Sequence, residues 1–412
     1  MNPTPVPFRK AAEPAASPPH FRKPLLETPF HARARELSQV DQFVPWAGYT
    51  TVDVFTTVEQ EYFAIRNAAT LYDLTPMVKY RIAGRDALEY LNRLVTRDLR
   101  KLKVGRVSYV VWCNDRGQII DDGTVFRLGE NEFRLCTAER QFDWLLDSAI
   151  GFQVEITEVT TEVAALAVQG PTSCFVLKRF GLDGVERLKV FDIGEFTVRG
   201  RPLTVSRTGF TGDLGYELWM RPDDALAVWD ELMAAGRTRG LRAIGSQALN
   251  MARIEAGFLM PNIDFVNAEH TIRLDRERTP LELGLGWLVD FDKPHFNGRR
   301  ALLAERARGS TRLLVGLDVA GNKAAHNALL YADEAGQREV GSVTSALWSP
   351  TCKRNIALAI VNSPHHALGT TLWADIYLNR ELVWERRMAR CSVVDKPFFA
   401  PERRRATPPA DR

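Results

Sequence analysis

Residues 108–126, SYVVWCNDRGQIIDDGTVF, decide how the first half of the chain is interpreted. A strand-like apolar run enters a turn at residues 114–117 and returns through a second apolar run, which is typical of a β-hairpin. The returning arm carries two adjacent acids, Asp121 and Asp122. Successive side chains of a strand point to opposite faces, so both carboxylates cannot point to solvent. We therefore expect one of the two carboxylates to face inward.

The composition is that of a soluble globular protein long enough for two or three domains, with 412 residues, of which 45% are hydrophobic and 25% charged. Lys and Arg number 54 against 51 Asp and Glu, so nucleic acid is not an expected partner. Five dispersed cysteines without a CxxC pair predict reduced thiols in a cytoplasmic protein. No run approaches the ~20 apolar residues of a membrane helix, so no membrane partner is expected.

The order of predicted elements indicates an α+β body with antiparallel sheets and helices, because strands and helices are mixed rather than strictly alternating. We place this body at residues 39–306 and divide it into two lobes, 39–150 and 151–306. Short strands separated by turns follow at residues 307–400, and they predict a small C-terminal β-barrel or sandwich.

Both ends of the chain are predicted to lie outside these units. Residues 1–38 are basic and proline-rich, and they lack the apolar core of a secretory signal. They predict an extended N-terminal tail that is disordered by default or wraps the body. Residues 401–412 are predicted as a basic C-terminal tail.

The usual catalytic motifs do not occur in the sequence. There is no GxGxxG after a strand, no P-loop, no HExxH and no GxSxG. The seven histidines lack the spacing of metal ligands, so no metal site is predicted.

Polar residues instead interrupt three otherwise apolar segments. These are the pair Asp121 and Asp122, the glycine-rich hairpin RTGFTGDLGYE with Glu217, and the helical segment NMARIEAGFLM with Arg253 and Glu255. Each alone is explained by structure, for example by a buried Arg–Glu pair. Together they indicate a polar constellation in one cleft.

A dozen segments, read in order from about residue 45 to 400, resemble the glycine-cleavage T-protein (aminomethyltransferase) family. The resemblance implies a three-lobed body with a C-terminal β-barrel around a central hole that binds tetrahydrofolate, and the transfer of one-carbon units to that folate. The segments are LYDLTPM, GRDALEYLNRLVTRDL, SYVVWCNDRGQIIDD, AVQGP, RTGFTGDLGYE, RIEAG, LGLGWLV, FNGRRAL, VGLDV, VTSALWSP, IALAIV and KPFF.

The resemblance also implies roles for individual residues. Asp122 matches the essential aspartate beside the reacting folate nitrogens, because it follows Tyr109, which matches a tyrosine of the folate site, at the motif's spacing. Glu217 matches the glutamate that holds the pterin, and Arg253 the arginine of the helix that follows. Phe210 stands in the folate site where the family usually has tyrosine.

The chemistry of these side chains agrees with the implied roles. A pterin presents a ring N–H beside an amino group, and an ionised, buried Glu217 accepts both in a bidentate pair. Methyl transfer to the folate N5 develops positive charge there, which a carboxylate stabilises without a covalent enzyme intermediate. We therefore expect Asp122 to be the inward-facing acid and Asp121 to be a structural or surface residue.

Several positions depart from the family pattern. Pro76 replaces a histidine, Phe210 replaces a tyrosine, and residues 246–252 and 260–262 differ from the usual motifs around RIEAG. These departures favour relatives that demethylate small molecules onto tetrahydrofolate, such as dimethylsulfoniopropionate demethylases and folate-dependent O-demethylases. We therefore predict a demethylase for a small N-, S- or O-methyl substrate. The alternatives are an aminomethyltransferase acting with a lipoyl carrier protein, and a folate-binding protein without turnover.

Three aromatic residues lie on segments that could face the central hole. Trp46, Tyr49 and Trp112 would form an aromatic box for a sulfonium or quaternary ammonium, each face contributing roughly 0.5–2 kcal/mol. The alternative is that they are ordinary core or interface aromatics. A homo-oligomer also stays open, since the sequence does not decide the oligomeric state.

Overall fold

The structure, a computed structural model, describes residues 25–409 as three open sheets and one closed barrel with helices between them. The predicted α+β class with a C-terminal β-barrel is confirmed. The elements up to residue 158 are β1 (Leu26–Glu27), α1 (His31–Leu37), β2 (Gln42–Trp46), β3 (Tyr49–Val54), α2 (Val58–Asn67), β4 (Thr70–Asp73), β5 (Val78–Ala83), α3 (Ala87–Leu94), β6 (Arg106–Cys113), β7 (Ile119–Arg127), β8 (Glu132–Thr137), α4 (Phe142–Ser148) and β9 (Glu155–Glu158).

The opening hairpin forms β6 and β7 of a five-stranded sheet with strand order β6-β7-β8-β5-β9. Its two faces pack differently because successive side chains alternate. Val110 and Trp112 lie in a core with α3, whereas Val111 and Cys113 pack toward the middle of the molecule. The hairpin thus separates a structural face from a face that can carry a site.

The second sheet has the order β11-β12-β13-β10-β4-β14. The predicted hairpin at residues 202–220 is confirmed, with Ser206 opposite Glu217. The further elements of this region are β10 (Ala164–Gln169), α5 (Ser173–Phe180), β11 (Ile193–Val198), β12 (Arg201–Ser206), β13 (Gly215–Met220), α6 (Ala225–Gly236), β14 (Arg242–Ala243), α7 (Ser246–Glu255) and α8 (Arg299–Arg308).

The sheets divide the body differently from the predicted boundary between residues 150 and 151. β9 pairs with β5 in the first lobe's sheet, although it lies beyond residue 150. β4 lies between β10 and β14 in the second lobe's sheet, although it comes early in the chain. Strand pairing between distant segments therefore interleaves the two lobes, which local composition does not reveal.

Gln169 explains why the motifs AVQGP and RTGFTGDLGYE occur together. Its side-chain amide donates to the carbonyls of Thr208 and Tyr216, at 3.2 and 3.1 Å, and fills the space beside two glycines. A Cβ on Gly209 or Gly215 would come within 2.0 or 2.2 Å of the Gln169 Oε1. Both positions therefore require glycine, and the buried amide fixes the hairpin that carries Glu217.

The C-terminal strands close into a barrel with the order β15-β18-β17-β16-β19-β20. Closure pairs every edge strand, and aliphatic side chains such as Leu317 and Leu372 fill the interior. The predicted start at residue 307 falls in the last turn of α8. The strands are β15 (Arg312–Val319), β16 (Leu329–Tyr331), β17 (Glu339–Ser349), β18 (Arg354–Asn362), β19 (Thr371–Arg380) and β20 (Val383–Val394).

Parts of both predicted tails belong to the folded body. Residues 25–38 form β1 and α1, and Phe30 is fully buried in the second lobe's core, 5.7 Å from the ring of Trp229. At the other end, Arg403 donates to both carboxylate oxygens of the buried Asp213, at 2.6 and 2.7 Å. Burial of Phe30 thus anchors the N-terminal segment, and the ion pair between Arg403 and Asp213 anchors the C-terminal one. Residues 1–24 and 410–412 of these predictions lie outside the described residues.

Candidate active site between the lobes

Asp122 lies on β7 and receives a hydrogen bond from its neighbour on β6. The Tyr109 hydroxyl donates to the Asp122 Oδ2 at 2.5 Å. Burial raises the pKa of Asp122 to about 6, while the bond from Tyr109 favours the ionised form and lowers it. The Tyr109 pKa is itself raised well above its usual range, first by burial and then by the charge of Asp122. Asp122 is therefore an ionised, half-buried carboxylate near neutral pH.

The second acid of the pair, Asp121, lies on the other face of β7 and is the more buried of the two. Asp121 is only 1% exposed, whereas Asp122 is half-buried. Asp121 Oδ2 accepts from the Gln141 side chain at 3.0 Å, and its Oδ1 accepts from the Asp122 N–H at 2.8 Å. Burial and the neighbouring charge of Asp122 raise the pKa of Asp121 well above its usual range. Asp121 is thus structural, as expected, but it lies inside the lobe.

Glu217 extends from β13 on the facing sheet. Its Oε2 accepts a 2.5 Å hydrogen bond from the Thr208 hydroxyl, which in turn contacts the Ser206 hydroxyl at 2.7 Å. Burial raises the pKa of Glu217 to about 7, and the two hydroxyls oppose that shift. No ion pair among residues 25–409 includes Glu217 or Asp122, and no cation is among the largest causes of either pKa shift.

Cys136 and Thr124 show how the two carboxylates are placed relative to each other. Burial raises the pKa of the Cys136 thiol to about 12, and the charge of Glu217 adds to that shift, so Glu217 approaches β8. Cys136 is the register partner of Thr124, which follows Asp122 by two residues and shares its face. Asp122 and Glu217 thus lie on the sides of the two sheets that face each other, and the space between these sides, called the cleft below, is the candidate site.

Aromatic side chains line this cleft on the side of the second lobe. Phe210 and Phe258 stack with their ring centroids 5.5 Å apart and an interplanar angle of 19°. Phe210, Trp46 and Met251 are half-buried against the same apolar cluster between the sheets. The guanidinium of Arg404 already lies 4.9 Å from the Phe258 ring centroid, so the apolar surface suited to an aromatic ligand or a methylated cation is that of Phe210 and Trp46.

The predicted aromatic box is not assembled. Trp112 is fully buried in the core with α3, on the face of the sheet opposite to Asp122. Tyr49 is 3% exposed, burial raises its pKa, and the charges of Arg140 and Glu158 act on its hydroxyl. Only Trp46 reaches the cluster at the cleft, where its Nε1 donates to the Ala138 carbonyl at 3.1 Å. The alternation of strand side chains, which places Trp112 behind the sheet, explains the error.

Arg253 lies within the protein, where its donors are used by protein acceptors. Its guanidinium donates to the Asp264 carboxylate at 2.5 Å, to the Asn250 Oδ1 at 2.8 Å and to the Ser345 hydroxyl at 2.9 Å. It also donates to the Phe258 carbonyl at 3.1 Å. One of these four bonds joins α7 to the barrel at Ser345, one stays within α7, and two hold the loop that carries Phe258 and Asp264.

The anticipated buried Arg–Glu pair does not form between Arg253 and Glu255. Glu255 instead binds Arg66, with an N–O distance of 2.6 Å, and accepts from the Tyr62 hydroxyl at 2.5 Å. Residues two apart on a helix point in different directions, so Arg253 and Glu255 belong to two separate hydrogen-bond networks.

Trp287 is a candidate site residue that the sequence reasoning did not single out, although it lies in the quoted segment LGLGWLV. Its ring is 63% exposed and lies 6.2 Å from the ring of Tyr109. The guanidinium of Arg97 lies 5.6 Å from the Trp287 ring centroid. Large apolar side chains are usually buried, so an exposed tryptophan beside Tyr109 indicates a candidate binding residue. Its position in a family motif was the available signal.

Two classes of feature are not seen in residues 25–409. No group of three or more His, Cys, Asp or Glu residues there could hold a metal ion. None of the helices in that part of the chain has the length and apolar character needed to cross a membrane.

Comparison with known proteins identifies the family. The GCVT N-terminal domain matches residues 31–293, and the glycine cleavage T-protein C-terminal barrel domain matches residues 312–400. The chain belongs to the glycine-cleavage T-protein family, which confirms the resemblance. Enzymes of this family use tetrahydrofolate as substrate or cofactor, and this chain is an enzyme of that folate-dependent class.

Individual relatives carry two kinds of name. An aminomethyltransferase of Caldanaerobacter subterraneus is 32% identical over 363 residues, covering 87% of this chain and 92% of the relative. A trimethylamine-oxide aldolase of Ruegeria pomeroyi is 34% identical over 379 residues, covering 88% of this chain but 46% of the relative. The crystal structure of glycine cleavage system aminomethyltransferase T from Bartonella henselae superposes with a TM-score of 0.79 at 26% identity, covering 91% of this chain and 98% of that one.

Proposed function

We propose that this protein is a tetrahydrofolate-dependent demethylase that moves a methyl group from a small N-, S- or O-methyl substrate to the folate. The observation that carries the proposal is the pair of carboxylates, Asp122 and Glu217, which face one cleft from two lobes without a cationic partner. Buried carboxylates without a cation favour ligands that bring hydrogen-bond donors or positive charge.

Glu217 holds the pterin edge in this proposal. Burial raises its pKa to about 7, because the protein offers this carboxylate only hydroxyl donors in place of water. A ring N–H beside an amino group supplies two further donors in the geometry a carboxylate accepts. Phe210, which is stacked on Phe258 and half-buried against the cluster between the sheets, offers an apolar face for a planar ring.

Asp122 stabilises the charge that develops during transfer. The folate supplies an amine nitrogen, N5, which accepts the methyl carbon while the bond from that carbon to the donor atom breaks. An ionised Asp122 lowers the energy of positive charge at that position, and the Tyr109 hydroxyl keeps the carboxylate oriented and ionised. Asp121, whose pKa is raised by burial and by the charge of Asp122, holds the backbone of Asp122 by accepting a hydrogen bond from the Asp122 N–H.

The small-substrate class is supported by two observations. The relative named trimethylamine-oxide aldolase matches this chain over as much of its length as the aminomethyltransferases do. The half-buried Trp46 and the Phe210–Phe258 pair give the cleft apolar surface that suits methyl groups on a cationic or dipolar atom.

An aminomethyltransferase of glycine cleavage is the second candidate, favoured by the names of most relatives and of the superposed structure. It would form methylenetetrahydrofolate and require a lipoyl carrier protein. The two candidates therefore differ in the folate product and in the need for a carrier.

The test is a mass-spectrometric screen of folate products. The purified protein is incubated with tetrahydrofolate and betaines, sulfonium compounds, methylamines, amine oxides or methoxyaromatics, with the Asp122→Asn variant as the matched control. We expect 5-methyltetrahydrofolate with one donor class and none from the control. Methylenetetrahydrofolate formed only with an aminomethyl-loaded lipoyl carrier would instead establish the second candidate.

A further inference from the structure

A cavity of about 390 Å³ lies outside the cleft, between the end of α3 and the start of α8. Its charged lining consists of three arginines: Arg93 comes from α3, and Arg299 and Arg300 come from the start of α8, with His295 beside them. Phe296 and Leu303 provide the apolar part of the lining. No carboxylate lines this cavity.

The arginines of the cavity are not neutralised within the protein. Among the ion pairs of residues 25–409, none includes Arg93, Arg299 or Arg300. Arg299 donates one hydrogen bond to the Phe291 carbonyl at 2.9 Å, and its buried Nε has no partner among those residues. The acids near these arginines in sequence, Glu89, Asp292 and Glu305, do not line the cavity. Three guanidinium groups therefore face one open space.

The position of the charges on α8 is unfavourable without an anion. Arg299 and Arg300 are the first two residues of this ten-residue helix, its N-cap is Gly298, and no acidic residue lies in the first turn. Cations at a helix N-terminus oppose the macrodipole, where each charge typically changes stability by about 0.3–1 kcal/mol. A bound anion would reverse that effect and would also accept from the free N–H groups of the first turn.

The cavity is also joined to the mouth of the cleft by fixed contacts. The buried Lys293 ammonium donates to the carbonyls of Asn92, Val95 and Arg97, and it holds the start of the α8 segment against the end of α3. Arg97 continues this line to Trp287, which lies beside Tyr109. Arg97 and Lys293 thus lie between Trp287 and the cavity.

We propose that this cavity is a binding site for a chain of oxyanions, held by Arg93, Arg299 and Arg300 at the N-terminus of α8. Two sources share this chemistry: the glutamate carboxylates of a polyglutamylated tetrahydrofolate whose pterin lies in the cleft, and a free polyanion. The folate source rests on the proposed function. The free-anion source does not.

The experiment compares ligands by calorimetric titration of the full-length protein at low salt. The ligands are tetrahydrofolate with one glutamate, tetrahydrofolate with five glutamates, and tripolyphosphate alone. The variant carries Arg93→Gln and Arg300→Gln, both exposed positions. Arg308→Gln, an exposed arginine in the last turn of α8 outside the cavity, is the matched control.

We expect the pentaglutamate to bind at least tenfold more tightly than the monoglutamate to the wild type and to the Arg308→Gln control. That gain should disappear in the double variant and shrink as salt rises, because exposed charges are screened. A second outcome is that the double variant alone loses tripolyphosphate binding, while the wild type binds the two folates with equal affinity. That outcome would establish the site with a free polyanion as its ligand.

The site would be overturned if neither polyanion binds the wild type more tightly than the double variant. A gain that persists equally in both variants would overturn it as well. Failure of the proposed function has a separate signature, since the product screen would then give no 5-methyltetrahydrofolate with any methyl donor, whatever the binding titrations show.

Discussion

The Tyr109 hydroxyl lies 2.5 Å from the Asp122 Oδ2 and donates to it across adjacent strands of the hairpin. The two residues are diagonal neighbours on one face of the sheet, so the pleat itself brings them together. The bond favours the charged form of a carboxylate that burial would otherwise neutralise. This relationship makes Asp122 the residue whose substitution tests the mechanism most directly.

Asp122→Asn should remove most turnover and leave folate binding nearly intact. The amide keeps the shape of the side chain but removes the charge that stabilises the transition state, so we expect kcat to fall about 10²–10³-fold. Folate affinity measured by calorimetry should change less than about threefold. Turnover within twofold of the wild type would remove Asp122 from the mechanism.

Tyr109→Phe should shift the pH dependence of turnover rather than abolish turnover. The hydroxyl favours ionised Asp122, whose pKa is about 6, so its loss should raise that pKa by roughly one unit. Activity that requires the carboxylate would then decline at a higher pH as the solution is acidified. Profiles of kcat/KM against pH for the two proteins measure this shift, and superimposable acid limbs would contradict it.

Glu217 should make folate binding weaken as the pH falls through 7. Its pKa is raised from 4.5 to about 7, so the ionised acceptor is present above pH 7 and is lost below it. Affinity should then decrease about tenfold per pH unit between 7 and 5.5, measured in the Asp122→Asn background to remove the other titration. Glu217→Gln should bind about 10–100-fold more weakly at pH 8 and lose this slope. A dissociation constant at pH 8 unchanged by that substitution would refute the assignment.

Arg253→Ala should act mainly on stability. Arg253 and Asp264 form a buried ion pair with an N–O distance of 2.5 Å, and removing one partner leaves the other charge unpaired. We expect the free energy of unfolding to fall by about 3–5 kcal/mol in urea titrations. Because the fold can fail completely, Arg253→Lys serves as a milder variant. A stable Arg253→Ala protein that has lost only folate binding would favour the direct folate role expected from the resemblance.

Deleting residues 401–412 should destabilise the second lobe. The truncation removes Arg403 from the buried Asp213, whose remaining partner, Arg66, lies at 3.5 Å. Breaking a pair at a fully buried carboxylate costs about 3 kcal/mol. Thermal unfolding of the truncated chain, with Arg405→Gln as a control outside this pair, measures the loss. An unchanged melting temperature would show that these residues are a dispensable tail.

Sequence periodicity and motifs were sufficient for the elements and for the chemistry of the site. The apolar alternation of β6 and β7, the glycine spacing before Glu217 and the helical pattern around Arg253 each predicted the element that the structure contains. These signals are local, because strand and helix periods are set by neighbouring residues. The order of the motifs added the family, and with it the identity of Asp122 and Glu217.

Tertiary structure decided what local patterns do not encode: the face of the sheet on which a side chain lies, the ion-pair partner of a charged residue, and the lobe that a strand joins. The pleat sends Trp112 into the core while Asp122 faces the cleft, and Asp121 is buried behind it. Arg253 takes Asp264 rather than Glu255, and β4 joins a sheet formed mostly by strands that come much later. Contacts between residues far apart in sequence determine these outcomes, because they depend on how whole elements pack. The sequence by itself thus determined the elements and the family, and packing alone determined the geometry of the cleft.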